Sequence, residues 1–180
     1  PMIAIAKEIG GADVIGLDIN DWQDCLCREF NIDFRVCDIQ TSDLLLDDGA
    51  SDIVLLLEVI EHLCMYPNDL FDKIYEKMKK GGYLFVSSVN FLRISNRIRM
   101  ITGRSPLVNP FERTVDGRNH IREFCPHEIA HYMKRSGFEV FDQYLFGIPD
   151  GNPILSALLR LAYVYPAFRN YFLVSCRRPE

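Results

Sequence analysis

"SDIVLLLEVIEHL", residues 51–63, is the stretch on which the fold turns. Apolar side chains run from Ile53 to Leu57 and stop abruptly at Glu58, and Glu61 and His62 follow within one turn. A short apolar run of this kind marks a strand buried on both faces, as in parallel sheets covered by helices. In an open α/β sheet, ligands bind outside the carboxyl ends of the strands, so titratable groups at such an end are candidates for chemistry.

Working upstream, "DFRVCDI" (33–39) reads as a strand closing in Asp38, and "ADVIGLDIN" (12–20) as a strand closing in Asp18. Asp21 to Phe30, between them, reads as a helix capped by Asn20 or Asp21. "PMIAIAKEIG" (1–10) puts Met2, Ile5 and Ile9 at helical spacing and stops at Gly10-Gly11. Downstream, Asn68 to Lys80 is predicted helical, with Leu70, Ile74 and Met78 on one face and Gly81-Gly82 at its end. "YLFVSSVN" (83–90) is the next strand. Past Asn90 come a basic connector, a helix over about 126–136, the strand "FEVFDQYLF" (138–146), a helix over about 153–165 and the strand "YFLVSCRR" (171–178). This alternation predicts a doubly wound, mostly parallel α/β sheet, with residues 1–180 forming a single domain.

The composition is that of an ordinary globular chain, 180 residues with 48% apolar residues and a net charge of -5. The richest apolar run, Ile154 to Phe168, is interrupted by Arg160 and Pro166, too short for the ~20 residues of a membrane-spanning helix. No basic-then-apolar leader is present and six cysteines lack CxxC spacing, so the expected location is the cytoplasm, with reduced thiols. Charge is uneven: Arg93 to Arg122 holds seven arginines against Glu112 and Asp116. A basic segment on an acidic chain suggests an anionic ligand, and a solvated connector is the plainer alternative.

Asp18, Asp38 and Glu58 lie twenty residues apart, each at a strand end. Together they describe a row of acceptors suited to hydroxyl and amino groups, although acids at these boundaries also serve as helix caps. "VIGLDIN", "CDI", "DIVLLLEVIEHL", "MKKGGYLFVSSVN" and "HIREFCPHEIAHYMKRSGFEV", in this order over residues 1 to about 145, resemble the class I S-adenosylmethionine-dependent methyltransferases. The resemblance implies a Rossmann-like sheet of seven strands with an antiparallel C-terminal strand. It also implies that Asp18 accepts the ribose hydroxyls, Ile19 packs on the adenine, Asp38 takes the adenine amino group beside the Ile39 backbone, and Glu58 and Val59 lie near the methionine end. The family's first strand and glycine loop are expected upstream of Pro1. Otherwise the gap left between neighbouring strands is closed by rearrangement or by a second copy, that is, in a homodimer. A nicotinamide dehydrogenase would share the acid after its second strand but would leave "EVIEHL" unexplained.

If residues 58–62 form a helical turn, Glu58, Glu61 and His62 fall on one face at i, i+3 and i+4. Two carboxylates and an imidazole can hold a divalent cation, the imidazole favouring manganese, iron, cobalt or zinc over magnesium. The Glu-x-x-Glu-His run is similar to that of the ubiquinone-pathway O-methyltransferases and the small-RNA 2′-O-methyltransferases. The resemblance implies metal binding by Glu58, Glu61 and His62 and, in the RNA enzymes, a further histidine downstream; His120, in the segment expected to return over the carboxyl edge, is the candidate for it. The plainer reading is that Glu61 caps the next helix and His62 lines a wall. For a hydroxyl acceptor, His62 or His120 is also a candidate general base. His127 and His131 are expected on an exposed helix face, with no role.

Residues 90–125 are expected to form a substrate lid, with Arg93, Arg97 and Arg122 as candidate acceptor contacts and Arg99 and Arg104 nearby. From Asn90 to Arg122 only Phe91 and Phe111 are available for base stacking, so a small anionic acceptor is favoured over RNA. A reading of another class is a non-catalytic cofactor- or partner-binding module, in which the helical insertion over 150–168 serves the partner. Its apolar residues cover too much of the helix for full exposure, which favours core packing.

Overall fold

The computed structural model describes residues 7, 8, 10–107, 120–147 and 163–180. Most of the helix expected over residues 1–10 and most of the one expected over 153–165 lie outside the described residues, as does 108–119 of the expected lid. The chain divides into two compact units, Pro1–Asp47 and Asp48–Glu180.

In the first unit, β1 (Ile15–Asp18) pairs in parallel with β2 (Asp33–Val36), joined through α1 (Asp24–Glu29). The helix begins later than its sequence suggests. Residues 21–23 form a turn, Gln23 is the N-cap, and the Asp24 carboxylate and Arg28 pair one turn apart on the exposed side. Buried Cys27 and Ile32 form the small core of this unit, with Val14, Phe30 and Phe34 packed on it.

In the second unit, β3 (Ser51–Leu57), β4 (Met78–Val89), β5 (Glu139–Phe146) and β6 (Tyr171–Arg177) form one sheet in the order β3-β4-β6-β5. β3 and β4 are parallel, and β6 runs antiparallel to both of its neighbours, as expected of the C-terminal strand. α2 (Pro67–Lys77) and α4 (Pro126–Arg135) pack on one another; α4 also packs on β5 and β6, and α2 on β4. Leu70, Phe71 and Ile74 of α2 recur at helical spacing and are buried with Ile129 and Met133 of α4 and with Leu84, Val86, Phe172 and Val174 of the sheet. The resemblance implies seven strands with the first upstream of Pro1, hence six within these residues; the described residues hold six, divided between a two-stranded and a four-stranded sheet rather than joined in one.

The Gly81-Gly82 pair does not end a helix. α2 stops at Lys77, and Met78 already pairs with Ser51 of β3. The register shifts between Ser51 and Ile53, and Gly81 takes a φ of 77° there, which only glycine adopts readily. A Cβ on Gly82 would sit 2.9 Å from the Lys79 carbonyl oxygen and 3.0 Å from that of Asp52. The glycines thus serve an irregularity that sets the register of β4 on β3, and the order of the sheet is that of an α/β, Rossmann-like fold.

Candidate active site

At the carboxyl end of β3 the chain turns sharply. Glu58 takes a φ of 54°, a left-handed conformation uncommon for a residue with a side chain. It is tied to β4 twice: its N–H donates to the Ser87 carbonyl at 3.1 Å, and its Oε1 accepts from Ser87 Oγ at 2.8 Å. The expected helical turn over 58–62 is therefore shorter, a 3₁₀ turn over Ile60–His62 that leaves Glu58 outside. Burial of its carboxyl end pushes the Glu58 pKa up; the Ser87 hydrogen bond opposes this, the charge of Glu61 adds to it, and the net shift is upward.

Glu61 is 1% exposed and accepts hydrogen bonds from three residues. Oε2 accepts from Ser88 Oγ at 2.9 Å, and the carbonyl accepts the N–H groups of Ile121 at 2.7 Å and Arg122 at 3.2 Å. Those backbone bonds draw the segment before α4 back over the turn. As a result the rings of His62 and His120 meet edge to face, 4.9 Å between centroids. One oxygen of Glu61 and one nitrogen from each histidine lie within 4.8 Å of one another. Glu58 is not within that set.

His120 Nδ1 lies 3.3 Å from Oε1 of Glu123, a buried carboxylate that the sequence did not single out. Arg93 donates to both Glu123 oxygens, through Nη2 to Oε1 at 2.8 Å and through Nη1 to Oε2, and Asn96 Nδ2 donates to Oε2 at 3.0 Å. Burial pushes the Glu123 carboxyl up, but the hydrogen bonds and charge of Arg93, with Asn96 and His120, outweigh it and hold the pKa below the ordinary range. Arg93 and Asn96 come from the start of α3 (Ile94–Ile101) and the residue before it.

The arginines expected to hold an acceptor are engaged within the protein. Arg93 belongs to the Glu123 cluster. Arg97 Nε donates to the Leu92 carbonyl at 2.7 Å, and its guanidinium lies over Phe168. Arg122 donates to Glu128 at 2.8 Å and lies over Phe124. Arg99 and Arg104 are exposed.

In the first unit, Asp18 ends β1 and Asp38 follows β2 by two residues, at the same carboxyl edge. Asn20 N–H donates to one Asp18 oxygen at 3.1 Å, and the neighbouring Ile19 is 57% exposed. Asp38 accepts from the Gln40 N–H and from Thr41 Oγ1, each at 3.0 Å; these bonds, the Gln40 one foremost, hold its carboxyl below the ordinary range. Ile39 is half-buried beside it.

The residues missed in the sequence are the ones that hold the titratable groups: Ser87, Ser88, Asn96 and Glu123. The serines carry a signal, since "SSVN" puts polar side chains at the end of an otherwise apolar strand. Glu123 carries a weaker one, an acid immediately after the basic stretch ending at Arg122.

A family model described as a methyltransferase domain matches residues 2–143. A curated relative, the ubiquinone biosynthesis O-methyltransferase of Chelativorans sp. (strain BNC1), is 34% identical over 93 residues, half of this chain. The chain spans 35% of the length of that relative. Among solved structures, an S-adenosylmethionine-dependent methyltransferase from Archaeoglobus fulgidus superposes with a TM-score of 0.66 at 16% identity, over 96% of this chain and 79% of its own. One from Mesorhizobium loti gives 0.62 at 15% identity, over 93% of this chain and 81% of its own. The superpositions carry the fold, the family match extends from the first unit through α4 into β5, and on both grounds this chain belongs to the class I S-adenosylmethionine-dependent methyltransferases.

Proposed function

We propose that the protein transfers a methyl group from S-adenosylmethionine to a hydroxyl oxygen of a small acceptor. The observation that carries this reading is the meeting of Glu61, His62 and His120 beside the end of β3. S-adenosylmethionine, when bound, supplies a methyl group on a sulfonium, which needs no activation by the protein. A hydroxyl acceptor, in contrast, must lose its proton, and a carboxylate beside two imidazoles is the equipment for that task. An amine acceptor would not need it. The name of the curated relative, an O-methyltransferase, points the same way.

The nucleoside half of the cofactor falls to the first unit. Asp18 accepts from ribose hydroxyls, exposed Ile19 offers an apolar surface to the adenine, and Asp38 beside Ile39 accepts from the adenine amino group. The chemistry fits: two acids stand at adjacent strand ends, and Asp18, exposed and receiving the Asn20 N–H, has acceptor capacity left.

The set Glu61, His62 and His120 also fits a divalent cation, with one hard and two borderline donors favouring manganese, cobalt, iron or zinc over magnesium. Such an ion, when bound, lowers the pKa of an acceptor hydroxyl. Glu58, turned to Ser87, is not assigned as a ligand in this reading. Arg93, Arg97 and Arg122 are engaged internally and so do not support contacts to a nucleic-acid backbone. No described helix is long and apolar enough to cross a membrane.

The test is a methyl-transfer screen over phenols, catechols and amines, with wild-type protein and His120→Gln. Transfer to hydroxyls that falls by about 10²- to 10⁴-fold in the variant, with unchanged cofactor affinity, is expected. Transfer confined to amines and indifferent to His120 would reject the reading. Chelation followed by addition of manganese, cobalt or zinc separates the cation from the histidines acting alone.

A further inference from the structure

We propose that Glu123 is a positioning residue for His120: it accepts the Nδ1 proton and so holds the imidazole in the tautomer whose lone pair is on Nε2. This inference rests on the reading of His120 as a working group of the site. A neutral imidazole has one nitrogen that donates and one that accepts, and its partner decides which is which. Here the partner of Nδ1 is a carboxylate oxygen, and a carboxylate only accepts. The proton is therefore assigned to Nδ1, and Nε2 is the nitrogen left to take a proton or a cation.

Glu123 is itself held from the opposite side. Oε2 receives Arg93 Nη1 and Asn96 Nδ2, and Oε1 receives Arg93 Nη2 and His120 Nδ1. Three donors from residues 93 and 96 fix the carboxylate plane, and the fourth position is the one His120 uses. A plain Arg93–Glu123 ion pair would account for the burial of Glu123 but not for the aim of its remaining acceptor position at an imidazole. Partners of this kind, one step removed from the reacting groups, commonly fix the orientation and tautomer of working histidines.

Glu123→Gln has a specific expected effect. Its single side-chain oxygen is drawn to the Oε2 position, where Arg93 Nη1 and Asn96 both donate, and the amide NH₂ then faces His120. An NH₂ group donates, so Nδ1 must accept and the proton moves to Nε2. The protein has four histidines, which makes the measurement direct. Uniformly ¹⁵N-histidine-labelled protein is examined by long-range ¹H–¹⁵N correlation at about pH 8, above the ordinary histidine range, and His120→Gln assigns the signal. The wild type is expected to carry the proton on Nδ1 of His120 and folded Glu123→Gln to carry it on Nε2. A wild-type proton on Nε2, or an unchanged tautomer in the folded variant, overturns the proposal. The wild-type spectrum decides even if the variant fails to fold. The two readings fail separately: His120→Gln with undiminished methyl transfer removes His120 from the chemistry but leaves its tautomer as assigned. If both hold, Glu123→Gln lowers kcat toward the His120→Gln level with unchanged cofactor affinity.

Discussion

At the scale of single residues, the acids at the strand ends differ in what the protein already asks of them. Asp18 gives one oxygen to Asn20 and is exposed, so it is open to a ribose. We expect Asp18→Ala to weaken S-adenosylmethionine binding by about 1–3 kcal/mol in calorimetry, the usual cost of a lost charge-assisted hydrogen bond. Glu61 is fully enclosed, and Ser88 is its side-chain donor. Ser88→Ala should therefore destabilise the fold by about 1–3 kcal/mol in chemical denaturation, because it leaves a buried carboxylate oxygen without that bond. If stability is unchanged, Ser88 does not support Glu61. The sequence offered Glu61, His62 and His120 as candidates beside the plainer reading of a helix cap and a wall residue, and the structure brings the three together. The sequence did not show that Glu58 would be drawn to Ser87, because that follows from parallel pairing of β3 with β4, a contact between residues 29 positions apart. Glu123 escaped for the same reason: its meaning comes from Arg93, 30 residues away.

At the scale of elements, the strands were the most readable part, because each is a short apolar run; burial on both faces, expected from those runs, holds for β6 and the second half of β4 but not for β3, where Ile53 and Leu55 are exposed. Helix ends were less so. Gly81-Gly82 after a helical pattern resembles a helix terminus, yet the pair belongs to β4, where close approach of the β3 backbone excludes a side chain. Gly82→Ala places a methyl against the carbonyl oxygens of Lys79 and Asp52 at about 3 Å, atoms that cannot rotate away. A loss of about 1–3 kcal/mol is expected from such overpacking. A variant as stable as the wild type would mean that the irregularity between Ser51 and Ile53 relaxes freely. The helix expected over 153–165 falls mostly outside the described residues, whereas the short 3₁₀ turn at Pro166–Phe168 lies within the insertion predicted there.

At the scale of the whole molecule, stability should depend on pH at the alkaline end. Cys176 is enclosed in the larger sheet, and burial pushes its thiol up to about 12; that of Cys125 is pushed to about 11. An ordinary thiol titrates at 9.0, so the folded chain keeps protons that the unfolded chain releases. This contribution is complete below pH 9.0 and is lost as the pH rises toward the folded values. Cys176→Ala is expected to be less stable than wild type at about pH 8, with the difference shrinking by about 2 kcal/mol at about pH 10.5. A constant difference would show that the thiol titrates normally. The stretch between α3 and α4 also bears on how such a protein diversifies. Its two stems are moored together, Arg93 and Asn96 to Glu123, Phe91 N–H to the Phe124 carbonyl, and Ile121 and Arg122 to the Glu61 carbonyl. Lengthening a chain between fixed ends costs little, about 0.6 kcal/mol for each doubling. Insertions between these moorings are therefore expected to leave the rings of His62 and His120 facing one another, whatever length of chain is added.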